Sequence, residues 1–287
     1  MPKSALELFW KSMLARTWPR VAWMFRHRTW LIQETLLPIL SVIALANVYN
    51  WMGAPVEYIG IVILGAAMTA FWLNVLWSLG GHLYWERDSG NLELYILSPA
   101  PMMGILAGMA LGGLTMTIVR AAAIVTTGVL LFDVPLHPTS WWLLALIFAL
   151  TMLALYGLGM MFASVFLLFG REAWHTMNLL QEPIYLMTGM NFPLSALEKM
   201  THWALPALAM LIPLSTGMDA MRQVLFHSDA TGVREGSRPA FEGFLALEYE
   251  VPMLAAMSVV FILLAKRFLD VLERKAKEEG KLTVKWQ

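Results

Sequence analysis

The chain has 287 residues, 59% of them apolar and only 14% charged, with a formal net charge of zero. Soluble domains average about 25% charged residues, and a water-soluble fold of this length leaves about a quarter of its unfolded surface wet, so this composition excludes one and makes a bilayer the solvent. The neutral balance offers no field for nucleic acid, and the absence of cysteine excludes disulfides, thiolate metal sites and cysteine nucleophiles.

In chain order, residues 1–28 come first. Leu6, Phe9, Trp10, Met13 and Leu14 recur at helical spacing, while Lys3, Glu7, Lys11 and Arg16 take the other face. This is an amphipathic helix suited to the plane of a membrane surface. The region lacks the short apolar core and small-residue site of a cleavable signal.

Six spans are expected within 29–265, each needing about 20 mainly apolar residues. The first runs from Thr29 to Trp51, with Trp at both ends as interfacial anchors and Gln33 and Glu34 near the headgroups. The second runs from Tyr58 to Gly80, and a polar link follows at about 85–100. The third covers Met102 to Phe132 and the fourth Trp141 to Phe169.

The fifth begins near Met177 and is broken by Pro183, Pro193, Pro206 and Pro213. Proline inside a helix removes a hydrogen bond, and irregular backbone at membrane depth must be covered by protein or face water. Residues 193–214 therefore read as a re-entrant helical hairpin. An outer polar segment, 227–250, precedes the last span, Val251 to Ala265, and a charged cytoplasmic helix at 266–287 ends at Gly280. The expected fold class is an all-α polytopic membrane protein.

Lys and Arg in the flanks set orientation. With the N-terminus inside, fifteen fall on the cytoplasmic side and four outside, namely Lys199, Arg222, Arg234 and Arg238. Both termini are expected in the cytoplasm of a multi-pass protein in a prokaryotic inner (plasma) membrane.

Chemistry concentrates in the link that reads ERDSGNLELYILSPAP from Glu86. Asp88 or Ser89 can cap a short helix on which Leu92, Ile96 and Leu97 follow at helical spacing. Glu93 lies near its N-terminus, where a carboxylate favours the dipole. Ser98-Pro99-Ala100-Pro101 stops it.

This link resembles that of ABC type-2 transporter permeases, which carry a Glu, then Gly-Thr-Leu-Glu, then Ser-Pro. Glu86, Gly90, Leu92, Glu93, Ser98 and Pro99 match, with Asn91 in place of Thr. A second similarity covers Gly189, Phe192, Pro193, Leu197, Pro213, Leu214 and Arg222, with Thr188 for Ser and Glu198 for Pro. The resemblance implies that Glu86, Arg87, Asp88, Gly90, Asn91, Leu92 and Glu93 form a coupling helix that docks into a separate ABC ATPase. It also implies a permease dimer, made with a second copy or a paralogue. ATP and Mg would be bound by the partner, because no Gly-x-x-x-x-Gly-Lys-Ser/Thr cradle for phosphates occurs here.

The implied function is ATP-driven export of an amphipathic substrate such as a drug, lipid or glycolipid, with no catalysis by this chain. The alternatives are an ion-coupled secondary carrier, which predicts an internal repeat, and a membrane-embedded lipid-modifying enzyme. Candidate substrate-path residues are Met68, Phe71, Asn74, Met177, Glu182 and Tyr185. Met suits adaptable apolar lining, though it is also ordinary filler. Asn74 either faces a cavity or bonds a neighbouring helix. Arg120, costly at roughly +2.5 to +3.5 kcal/mol at a helix centre, either pairs with Glu182 or snorkels to the outer interface. Asp219 and Arg222 read as an i, i+3 pair. The six histidines are scattered, without metal-ligand spacing.

Overall fold

A computed structural model of the chain describes residues 4–136, 138–169, 172–190, 192–200, 202–226 and 243–278; within these, the side chains of residues 5, 167, 168, 176, 177, 180, 182, 183 and 200 are not described. Among the described residues every regular element is a helix. The elements are α1 (Ala5–Arg26), α2 (Arg28–Trp51), α3 (Val56–Leu73), a π-helical segment (Asn74–Gly80), α4 (His82–Asp88), α5 (Asn91–Leu97), α6 (Met102–Phe132), α7 (Trp141–Phe169), α8 (Ala173–Met187), α9 (Leu194–Met200), α10 (Ala204–Ala209), α11 (Pro213–Leu225) and α12 (Leu247–Glu278).

Among the described residues, five helical stretches are long and apolar enough to cross a membrane: 28–51, 56–88, 102–132, 141–166 and 247–278. The third and fourth expected spans match α6 and α7 at both ends. The second is longer than expected. It continues through the π-helical segment and α4 to Asp88, so the link rides on a rigid extension of the span. The last span likewise runs unbroken past residue 265 to Glu278. The expected fifth span is represented by α8, whose 15 residues reach only about 22 Å against a hydrocarbon core of about 30 Å. After it come three shorter helices at the prolines the sequence supplies, with Pro213 at the N-terminus of α11.

The core forms around α3. Ile59, Ile61, Met68, Phe71 and Trp72 are buried, and Val75, Leu76 and Leu79 carry that burial through the π-helical segment. Helices α6, α7, α2 and α11 pack around it, while α12 lies along α7. There the Ser258 hydroxyl donates to the Leu150 carbonyl at 2.9 Å. Gly157 faces the backbone of Phe261 and Ile262.

Helix α9 packs against α10 around a small separate core of Leu194, Leu197, Ala209 and Met210. Arg222 on α11 ties this region down. Its buried guanidinium donates to the carbonyls of Ile61 (3.4 Å), Met190 (3.2 Å) and Phe192 (3.4 Å). Gly189, at φ +65, turns the chain after α8, and Gly65 on α3 lets the Met190 carbonyl approach so closely that no Cβ would fit.

Asp219 and Arg222 interact electrostatically, as the expected i, i+3 pair would, but make no direct ion pair. With its guanidinium spent on three carbonyls, Arg222 leaves Asp219 to accept from the Phe244 amide at 2.7 Å. Gln223 bridges to the Glu250 carboxyl and the Leu245 carbonyl, both at 2.9 Å.

Helix α1 also departs from expectation. Leu6, Trp10, Leu14 and Trp18 form an exposed apolar stripe, Trp18 being 73% exposed. Phe9 and Met13, expected on that same face, lie half-buried against α6. Gly104, Gly108 and Gly112 of α6 face α1 and admit its backbone, as small residues do where membrane helices approach closely. Thr17 donates to the Gly108 carbonyl at 3.1 Å. Arg16, expected on the solvated face, turns into the protein instead.

Candidate functional site

The link between α4 and α6 is held by one carboxylate. Glu86, only 8% exposed, accepts from the Arg16 guanidinium of α1 and from the Tyr95 hydroxyl of α5 at 2.8 Å. The His82 ring nitrogen stands 3.1 Å from it. The Arg16 guanidinium also lies over the Tyr95 ring, 5.1 Å from its centroid, a favourable cation–π geometry. Burial raises the Tyr95 pKa, with Arg16 opposing, so the phenol stays a neutral donor to Glu86.

Gly90 sits at φ +78 between α4 and α5, a left-handed conformation that glycine adopts without cost. It caps α5 with no side-chain hydrogen bond. The expected Asp88 or Ser89 cap is absent because the left-handed turn supplies the geometry; Ser89 instead donates back to the Trp85 carbonyl at 2.8 Å. Leu92 anchors α5 in the core. Arg87 is buried, its guanidinium 5.7 Å from the Tyr84 ring centroid.

The opposite side of the link is open. Asp88, Asn91, Glu93, Leu94 and Leu97 are exposed, Leu97 at 82%. Leu97, expected with Leu92 on one helical face, thus points away from the core. Ser98 is extended and ends the helix, accepting at its hydroxyl from the Ala100 amide at 3.1 Å.

Two cavities flank the α3–α6 pair. The first, about 680 Å³, lies between α1, α2, the π-helical segment, α4 and α6. Arg16, Arg20, Glu34, Asn74, Ser78, His82, Glu86 and Arg120 reach it, together with Trp23, Trp30, Trp77 and Trp85. The Arg120 guanidinium donates to Glu34 of α2 at 2.7 Å; its expected partner, the Glu182 side chain, lies outside the described residues. Arg20 donates to the Ser78 hydroxyl and, at 3.3 Å, to the Met109 carbonyl. Burial lowers the Arg20 pKa and Arg16 adds to the effect, while Tyr156 opposes it. The second cavity, about 450 Å³, is lined by apolar side chains of α3, α6, α7 and α11.

The candidate path residues divide between these spaces. Met68 and Phe71 line the apolar cavity and Asn74 the charged one. Asn74 accepts from the Tyr156 hydroxyl of α7 at 3.0 Å, so it both bonds a neighbouring helix and faces a cavity. Tyr185 is half-buried on α8. The side chains of Met177 and Glu182 lie outside the described residues. Sequence reasoning missed Gln181, which accepts from the Trp77 indole at 2.9 Å. It also missed the π-helical turn, a feature frequent at functional positions.

Long apolar helices around a buried core, with a short helical link braced at one end, define a multi-pass α-helical membrane protein. The ABC-2 type transporter family model matches residues 10–226, and the chain belongs to that family; it is the membrane-embedded permease of an ABC transporter. The match takes in both motif segments, the link and the α8–α11 region. No curated protein matches the chain.

Proposed function

We propose that this permease exports an amphipathic substrate with energy from ATP hydrolysed on a separate ABC ATPase, which binds the ATP and Mg²⁺. Glu86, Arg87, Asp88, Gly90, Asn91, Leu92 and Glu93 form the coupling element. Permeases of this family generally work with such a subunit. The observation that carries the reading is the two-sidedness of α5: Leu92 and Tyr95 are fastened inward, while Asn91, Glu93, Leu94 and Leu97 are offered outward. A rigid element with an apolar and acidic outer face is suited to seat in a partner's cleft and pass on its motion.

On this reading the link and both termini lie in the cytoplasm of a prokaryotic cell, as the Lys/Arg bias argues. Two permeases, identical or paralogous, pair to form the pathway. Helix α8 completes a sixth crossing with help from the segments after it, and α9–α10 dip into the membrane as a re-entrant hairpin. The exposed Leu6–Trp18 stripe of α1 lies in lipid. Met68, Phe71, Asn74, Met177, Glu182 and Tyr185 remain the proposed substrate-path residues.

The test is co-purification from native membranes. The tagged chain is expected to bring an ABC ATPase whose hydrolysis changes on binding. Transport by the purified chain with no ATPase present would refute the reading in favour of an ion-coupled carrier. Turnover of a lipid by the chain alone would favour the enzyme.

A further inference from the structure

The charged cavity does not balance its own charge. Its wall presents three guanidinium groups, Arg16, Arg20 and Arg120, and two carboxylates, Glu34 and Glu86. Two pairs account for four of these five groups, Arg16 with Glu86 and Arg120 with Glu34. Arg20 is left over. Its partners among the described residues are neutral, the Ser78 hydroxyl and the Met109 carbonyl. A guanidinium cannot shed its proton to escape the cost of burial, so among the described residues this wall carries one positive charge with no carboxylate partner.

Around Arg20 the lining is aromatic and apolar. Trp23, Trp30, Trp77 and Trp85 line the same cavity, with Leu73, Met109 and Met116. Trp23 and Trp85 are themselves exposed, and indoles favour the level where lipid headgroups meet hydrocarbon. At about 680 Å³ the space suits a whole small-molecule head with part of its tail rather than one small ion.

We propose that this cavity binds an anionic amphiphile, its phosphate or carboxylate head received by Arg20 and its apolar part by the four indoles. The guanidinium fork matches an oxyanion's geometry in two parallel hydrogen bonds. The proposal deepens the export reading by naming the ligand class, yet it concerns binding alone and stands or falls without an ATPase.

The experiment titrates the purified chain, in a neutral maltoside detergent, with dihexanoyl phosphatidate, the uncharged dihexanoylglycerol and inorganic phosphate, following tryptophan fluorescence. Phosphatidate is expected to saturate the signal at least roughly tenfold more tightly than dihexanoylglycerol, and phosphate alone only far more weakly. Arg20→Gln is expected to erase the preference for the charged lipid, and Arg20→Lys to keep part of it, in variants that stay folded with a somewhat lowered unfolding midpoint, since Arg20 also bonds Ser78 and the Met109 carbonyl. Equal binding of charged and uncharged lipids by the wild type would overturn the proposal. So would saturation by inorganic phosphate at the phosphatidate affinity, which would make this a free-anion site. If Arg20→Gln does not fold, the wild-type comparison decides; if it folds and keeps the full preference, the proposal fails. A failed binding titration with an ATPase still co-purifying would remove the site and leave the permease reading intact.

Discussion

Replacing Glu86 by Gln tests whether one carboxylate holds the link to α1. The substitution keeps shape and removes charge from a group that meets the Arg16 guanidinium, the Tyr95 hydroxyl at 2.8 Å and the His82 ring at 3.1 Å. Hydrogen bonds to charged groups contribute about 1.5–3 kcal/mol, and breaking a fully buried pair costs about 3–5 kcal/mol. The Arg16 side chain is 27% exposed, so screening brings the expected loss to about 2 kcal/mol. In a double-mutant cycle with Arg16→Gln, read by thermal unfolding in detergent, the coupling energy is expected at about 1–2 kcal/mol. Single-mutant effects that add to within about 0.3–0.5 kcal/mol would mean that the two groups are independent. The brace between α1 and the link would then not exist.

Leu94→Asp and Leu97→Asp alter only the outward face of α5, so stability should stay within about 0.5 kcal/mol while the yield of co-purified ATPase falls; full retention of the ATPase would remove this face from the docking surface. Gly65→Ala places a methyl group on the Met190 carbonyl and should destabilise by about 1–3 kcal/mol through overpacking; an unchanged unfolding midpoint would contradict the close approach. Arg222→Met strands the carbonyls of Ile61, Met190 and Phe192 and should cost about 3 kcal/mol, visible as early protease cleavage near α9–α10. Tyr95→Phe removes a single bond to the Glu86 carboxylate and should cost about 1.5 kcal/mol, the low end for a bond to a charged group, less than the Glu86→Gln loss in the same unfolding assay.

Much of the helical architecture was legible because lipid demands long uninterrupted apolar runs, and Met102–Phe132 and Trp141–Phe169 are such runs. The inner face of the link was partly legible. Leu92 is an apolar anchor at helical spacing, a local signal, whereas the left-handed turn at Gly90 was not read from the sequence, which pointed to a cap at Asp88 or Ser89. What escaped was every pairing between distant segments. Arg16 and Glu86 stand 70 residues apart, and Arg120 and Glu34 86 apart. A helix pattern assigns a residue to a face without saying what covers that face, and Arg16 on the polar side of α1 looked solvated for that reason. The charged cavity was invisible on the same ground, since its walls come from α1, α2, the second span and α6. The π-helical turn at Asn74–Gly80 has no composition of its own; it sets Asn74 toward Tyr156 and Trp77 toward Gln181.

Helix α1 makes the cavity and the link one mechanical unit. Arg16, His82 and Glu86 line the cavity and also fix the link, so displacement of α5 by a docked partner must change the cavity wall. That transmission requires α1 to be seated firmly on α6, and Gly108 is where the seat is tightest, since a Cβ there would strike the Met13 carbonyl and the Arg16 Cβ. Gly108→Leu should lift α1, pull Arg16 from Glu86 and loosen α5 although position 108 does not touch it. The chain has no cysteine, so a single Leu92→Cys reports on α5 without background. Leu92 is fully buried; its thiol replacement should react slowly with maleimide in the otherwise wild-type chain. Reaction at least roughly tenfold faster is expected once Gly108→Leu is added, corresponding to a local opening made easier by about 1.4 kcal/mol. Equal rates in the two backgrounds would mean that α5 holds its place without α1, and the cavity and the link would then be separate devices.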